Sequence, residues 1–282
     1  MNTERGPILL AALNHSPAVY GVLTAALGIA EMVGADVEAL HVSEGSQSAH
    51  LALSVTDAAG VHLHERTGPV AETILDALQA PEMVGAVMGT RALRVGPRPT
   101  GSTARRVMAG MPKPVVFVPP EACQPSAEAP KRLLVPLDGG AAASTAFLEL
   151  ERRFRSDPER EITVLLTFAD DGEMPSMLDH PTRDLPAWGR TFVDRCCPGE
   201  GRLFEARTGD PGSAVIEVAE KTKSDLIVLS FKGTLERGHG WVVQEVLARS
   251  VVPVLLLPVA PANMPADVAI ASVDEAGHMA LQ

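Results

Sequence analysis

The stretch MGTRALRVGPRPTGST, residues 88–103, carries Gly89, Gly96 and Gly101, the pair Ser102 and Thr103, and Arg91, Arg94 and Arg98. Glycine lets a backbone come close to a ligand. Hydroxyls and backbone N–H groups at a helix start hold phosphate oxygens, and guanidinium groups neutralise them. The chemistry open to these residues is anion binding, phosphate above all. A glycine-rich stretch also fits a plain strand-to-helix connection, so both readings stand at this point. The charge distribution favours the first. The 282-residue chain has a formal net charge of −11, yet residues 83–120 contain no Asp or Glu, while Arg91, Arg94, Arg98, Arg105, Arg106 and Lys113 all lie there. A basic island of this kind can hold a small anion, whereas the acidic total disfavours nonspecific nucleic-acid binding.

The remaining reactive residues point to less. His62 and His64 alternate along one strand but have no third ligand at a metal spacing, so no metal site is expected. His41 ends a strand and reads as a packed residue. His239, between two glycines, could contact an anion when protonated. Asp138 could meet a ribose hydroxyl or cap the helix that follows it. No serine sits in a G-x-S-x-G elbow and no cysteine has an evident base partner, so nucleophilic catalysis is not indicated. Cys123, Cys196 and Cys197 form neither a zinc spacing nor a disulfide framework. They read as free thiols of a cytoplasmic protein. No apolar run reaches the roughly 18–20 residues that span a bilayer, and the start of the chain lacks the pattern of a signal peptide.

The elements that position the stretch appear twice. LLAALNHSPA (9–18) recurs as LLVPLDGGAA (133–142), RTGPVAETIL (66–75) as RTGDPGSAVI (207–216), VGAVMGTRA (84–92) as SDLIVLSFKG (224–233), and PKPVVFVPP (112–120) as VVPVLLLPV (251–259). This is a tandem duplication of a unit of roughly 120–130 residues, consistent with ordinary domain size. The expected division is a first domain over 1–120, a linker over 121–130, a second domain over 131–260 and a loosely ordered tail over 261–282. In the first unit, apolar runs predict strands at 8–13, 36–42, 60–66, 84–88 and 114–118. Helical periodicity predicts helices over 17–33, 69–79 and 102–110, with Ser16 as N-cap and Pro17 at the first helical position. Aromatics are 4% of a chain that is 46% hydrophobic, so the core is aliphatic. Apolar strands alternating with helices make each unit a doubly wound α/β domain with a parallel sheet. Ligands on such sheets bind at the carboxyl ends of the strands where the order reverses, here at Leu13, Asn14, Met88 and Gly89. The mixed-charge run ERRFRSDPEREI (151–162) reads as a solvated helix end and turn. The stretch 177–197, with Trp188, reads as an inserted loop before a helix.

These motifs resemble the universal stress protein family. AALNHSPA and VPLDGG look like its A-V-D-G-S-P-A start, and TGPVAETIL and TGDPGSAVI resemble its G-D-P-A-x-x-I segment. MGTRA…GSTARRVMAGMPKPVVFVP is similar to its loop G-x2-G-x9-G-[ST] with the helix and P-V strand that follow. The resemblance covers about residues 7–119 and 131–259. It implies a Rossmann-like, five-stranded parallel sheet per unit, two units packed through their last strands as an internal pseudo-dimer, and in many members bound ATP or AMP. Carried onto this chain, it implies a nucleotide site of Asn14, Val42, Met88, Gly89, Arg91, Gly101, Ser102 and Thr103.

The departures from the pattern are local. Asn14 and His15 stand where Asp and Gly are expected, and Ala92 replaces the second loop glycine one residue too close to Gly101. In the second unit Asp138 and Gly139 are present, but the loop SFKGTLERGHGW has Ser230 for its first glycine, lacks two residues and ends in Trp241 rather than Ser or Thr. The resemblance thus implies an adenine nucleotide in the first unit as a regulatory or sensing ligand, a degenerate second unit, at most slow ATP hydrolysis, and no membrane or nucleic-acid partner. The alternative is a nucleotide-free module that kept the fold for binding a protein partner or a second copy of the chain.

Overall fold

The computed structural model describes residues 6–44, 49–90, 99–122, 127–168, 185–233 and 240–259. The first unit runs β1 (Ile8–Leu13), α1 (Val19–Val33), β2 (Asp36–Ser43), α2 (His50–Ala59), β3 (His62–Thr67), α3 (Val70–Ala77), β4 (Met83–Gly89), α4 (Ser102–Gly110) and β5 (Val115–Val118). The second runs β6 (Arg132–Pro136), α5 (Ala141–Glu151), β7 (Glu161–Phe168), α6 (Leu185–Cys196), β8 (Arg202–Thr208), α7 (Pro211–Thr222), β9 (Leu226–Phe231), α8 (Trp241–Arg249) and β10 (Val254–Pro258). The strands form one sheet in the order β3-β2-β1-β4-β5-β10-β9-β6-β7-β8. Each half reads outward as a doubly wound unit of five parallel strands, and the two halves meet where β5 pairs antiparallel with β10 through Val116↔Leu255 and Phe117↔Val254.

The strand interiors are continuous Val, Leu, Ile and Ala because both faces are covered. Leu9, Ala11, Val87, Leu133, Val164 and Leu255 face one layer, formed by α1, α2, α5 and α6. Ile8, Leu10, Ala86, Leu134, Ile227 and Leu256 face the other, formed by α3, α4, α7 and α8. Close packing of β4 on the start of β5 shows in Gly85, where a Cβ would come within 2.6 Å of the Pro114 carbonyl oxygen. The units are also fastened off the sheet: Ala129 N–H donates to Glu31 Oε2 at 2.7 Å, and Arg155 N–H donates to the Met32 carbonyl at 2.7 Å.

Four expectations need correction. The helix at 50–59, α2, was absent from the periodic pattern; it buries only Ala52, Val55 and Thr56 and ends at Gly60 in the left-handed region. Helix α1 starts at Val19, because Ser16, Pro17 and Ala18 form a preceding turn in which Ser16 Oγ accepts from Ala18 N–H at 3.3 Å. Trp188 belongs to α6 and is 1% exposed, stacked on Phe192 at 5.4 Å between ring centroids. The run 151–162 is more than a solvated turn. Arg155 bonds α1 of the other unit, and Arg160 lies over the Phe154 ring at 5.2 Å. No helix among the described residues is long and apolar enough to cross a membrane. The tail over 261–282 lies outside the described residues.

Candidate functional site

At the carboxyl ends of β1, β2 and β4 the structure opens a crevice of about 350 Å³, near the lower end of small-molecule sites. The strand order reverses here, since β2 and β4 flank β1 on opposite sides. Asn14, Val42, Met88, Gly89, Gly101, Ser102 and Thr103 all line it, so seven residues named from the sequence come together. Arg91 lies outside the described residues, as do Ala92, Arg94, Gly96 and Arg98.

One end of the crevice is the start of α4. Its N-cap, Gly101, provides no side-chain cap, and its first turn has no acidic residue, so the leading N–H groups beside Ser102 and Thr103 keep their partial positive charge. The neighbouring α3 differs: its Val70 N–H donates to Glu44 Oε1 at 3.2 Å, an anion supplied by the chain itself. Gly101 N–H donates to the Thr90 carbonyl at 2.9 Å, and Thr90 N–H donates to the Val118 carbonyl at 3.0 Å. These bonds fix Gly101 to Thr90 and Thr90 to the end of β5. The lining also includes apolar Leu40 and Val42 from β2 and Val70 and Ile74 from α3, a helix that packs against α4.

Asn14 follows β1, the strand between β2 and β4. Its Oδ1 accepts from Ser16 N–H at 2.9 Å and from Ser16 Oγ at 2.8 Å, which leaves Nδ2 as the group able to donate to a ligand. Among the described residues of the lining are His15 and His41 and no carboxylate. The arrangement suits binding of an anion joined to a flat apolar body. It presents no nucleophile beside an oriented base. Among the described residues no group of three His, Cys, Asp or Glu side chains could hold a metal ion.

The second unit repeats the frame with different fittings. Asp138 ends the turn after β6, and its Oδ1 accepts from Gly140 N–H at 2.8 Å. Helix α8 starts at Trp241, whose indole is 44% exposed where the first unit has Ser102. Asp210 caps α7 by accepting from Ser213 N–H at 2.7 Å, and that bond holds its carboxyl below the usual range. Residues 234–239, His239 among them, lie outside the described residues.

Two other cavities lie between the units. In one of about 640 Å³, Lys113 Nζ donates to the carbonyls of Ala80 at 2.6 Å and Met83 at 2.7 Å, while burial lowers its pKa. In one of about 330 Å³, Asp225 accepts from Arg132 N–H at 2.9 Å and from Arg132 Nη2 at 2.8 Å. Sequence reasoning missed Thr90, Val70, Ile74 and the contribution of His41 to the crevice. The register Leu13↔His41, which brings His41 to the end of β1, depends on strand pairing and leaves no local signal.

The sequence matches no protein-family model and no curated protein. Among solved structures, the chain is similar over 91% of its length to a universal stress protein from Archaeoglobus fulgidus, covering 97% of that chain at 18% identity with a TM-score of 0.67. It is also similar to a putative universal stress protein from Pseudomonas aeruginosa, over 89% of this chain and 93% of that one, at 12% identity and a TM-score of 0.62. With both halves of the sheet matched in a single alignment, the chain has the fold of a two-unit universal stress protein.

Proposed function

We propose that the first unit binds an adenine nucleotide, ATP or AMP, as a regulatory ligand of a cytoplasmic universal stress protein. One observation carries this reading: the uncapped start of α4, Asn14 and the apolar residues Leu40, Val42, Val70 and Ile74 line one crevice at the switch point of the sheet. Phosphate fits the N–H groups of Ser102 and Thr103, and Arg91 supplies charge. The base fits among Leu40, Val42, Val70 and Ile74. The second unit, with Trp241 at the start of α8, is the degenerate copy and keeps the sheet complete. The boundary between the units falls in 121–130. Phosphate loss is at most slow, because among the described residues no carboxylate lines the crevice to position water.

Native mass spectrometry of freshly purified protein, with released small molecules identified, tests the proposal, followed by titration with ATP and AMP. The expected result is one adenine nucleotide per chain, carried through purification or taken up on addition. A protein that is empty and ignores both nucleotides overturns it and leaves the protein-interaction reading.

A further inference from the structure

The cleft of about 640 Å³ lies at the amino ends of β1 and β4, the other end of these strands from the nucleotide crevice. Both units build it. Helix α1 contributes Ile29, Met32 and Val33; α5 contributes Ala146, Glu149 and Leu150, with Arg153 in the turn that follows. Spacings of three and four residues put each set on one helix face. Leu9 of β1 and Leu255 and Leu257 of β10 form the floor, on the sheet face that α1 and α5 cover.

Two cations share this otherwise aliphatic lining. Lys113 is half-buried and Arg153 is exposed. The two bonds of Lys113 Nζ go to neutral carbonyls, those of Ala80 and Met83, which leaves one N–H of the ammonium. Burial lowers the Lys113 pKa; Glu82 opposes this, and the positive charge of Arg153 adds to it. Among the described residues neither Lys113 nor Arg153 has an ion-pair partner, although Glu149 stands one helical turn before Arg153. Like charges repel most where water is partly excluded, and an anion that accepts from both relieves the repulsion. Two cations and the carboxylate of Glu149 leave the lining one net positive charge, which matches a monoanion. No aromatic ring is among the described lining residues, so the walls offer a flat ring no stacking partner and suit a flexible hydrocarbon chain.

We propose that this cleft is a second ligand site, which takes an aliphatic monocarboxylate. The head group accepts from Lys113 Nζ and the Arg153 guanidinium, and the chain lies over Leu9, Leu255 and Leu257 between α1 and α5. The site is independent of the nucleotide reading, since the cleft and the crevice share no lining residue.

The test titrates the full chain calorimetrically with acetate, hexanoate, octanoate, decanoate and 1-octanol. One octanoate is expected to bind per chain, about tenfold tighter than hexanoate and about tenfold weaker than decanoate, the worth of two buried methylenes at each step. Acetate is expected not to bind, and 1-octanol, equally apolar but uncharged, to bind at least about tenfold more weakly than octanoate. Arg153→Gln, at an exposed position, is expected to weaken octanoate at least about fivefold and to leave 1-octanol and the melting temperature of the free protein unchanged. Saturating ATP is expected to leave octanoate binding as it was. Absence of octanoate binding, or equal affinity for octanoate and 1-octanol, overturns the proposal, and neither result needs a variant to fold. Octanoate affinity untouched by Arg153→Gln removes the head group from this cleft and also overturns it. Competition by ATP overturns it too, because it places the carboxylate in the nucleotide crevice.

Discussion

Asn14 and Asp138 hold the same place at the ends of the first strands of their units, and each side-chain Oδ1 accepts from the backbone N–H two residues on, Ser16 at 2.9 Å and Gly140 at 2.8 Å. The amide and the carboxylate close the same turn. What separates the two positions is charge, not architecture. Asn14→Asp is therefore expected to leave stability within about 0.5 kcal/mol of wild type, whereas Asn14→Ala, which leaves Ser16 N–H without its acceptor, is expected to cost about 1 kcal/mol. Urea denaturation of the three proteins checks this. Equal stability of wild type and the alanine variant would remove the turn from the account.

Gly101 separates stability from binding. Its φ of −60° and ψ of 156° suit any residue, and it is the N-cap of α4. Aspartate is a preferred N-cap because its carboxylate accepts from N–H groups of the first turn. Those are the donors assigned to phosphate. Gly101→Asp is expected to raise stability by up to about 1 kcal/mol and to weaken nucleotide binding by at least about tenfold. Thermal unfolding and ATP titration of the same preparation give both numbers, and unchanged affinity would displace the phosphate site from α4.

The crevice was legible where the sequence states chemistry locally. Gly89, Gly101, Ser102 and Thr103 combine residue types that a phosphate loop needs, and the duplication showed which strands they follow. Most of the strands and helices of the first unit were legible for a related reason: a strand buried on both faces is apolar throughout, so its limits are abrupt. Helix α2 was not, since HLALSVTDAA is rich in small and polar residues and buries a narrow strip. His41 is packed as expected, at 2% exposure, but its bond to the Leu13 carbonyl depends on the register of β1 with β2, a nonlocal pairing. Trp188 was misread because flanking prolines and charges suggest a loop, yet its indole completes the cluster with Phe192 and Phe204 under α6.

The close approach of β4 to the start of β5 makes Gly85 a sensitive position. A methyl group added there would lie 2.6 Å from the Pro114 carbonyl oxygen, an atom of the backbone that cannot rotate away. That carbonyl also accepts from Ala86 N–H at 3.0 Å, so moving it disturbs the β4–β5 pairing next to the β5–β10 junction. Gly85→Ala is expected to destabilise the protein by about 1–3 kcal/mol. Chemical denaturation measures it; a neutral result would mean that this contact has room that the packing does not show.

The adjacent thiols Cys196 and Cys197 give a prediction in pH. Burial pushes the Cys197 thiol up to about 11, with Arg202 pulling it partly back, and burial likewise raises Cys196. A thiolate is the reactive form, so Cys197 is expected to resist thiol reagents at pH 8 in the folded protein and to react at once in denaturant. The sign for stability follows from linkage. The fold favours the protonated thiol, so this contribution is fully present below the unfolded thiol's pKa of about 8.5 and is lost as pH rises through about 11. Cys197→Ala is therefore expected to flatten the decline of stability between about pH 9 and 11 relative to wild type. Denaturation midpoints across that window read the difference, and parallel curves for the two proteins would show that Cys197 titrates alike in the folded and unfolded chains.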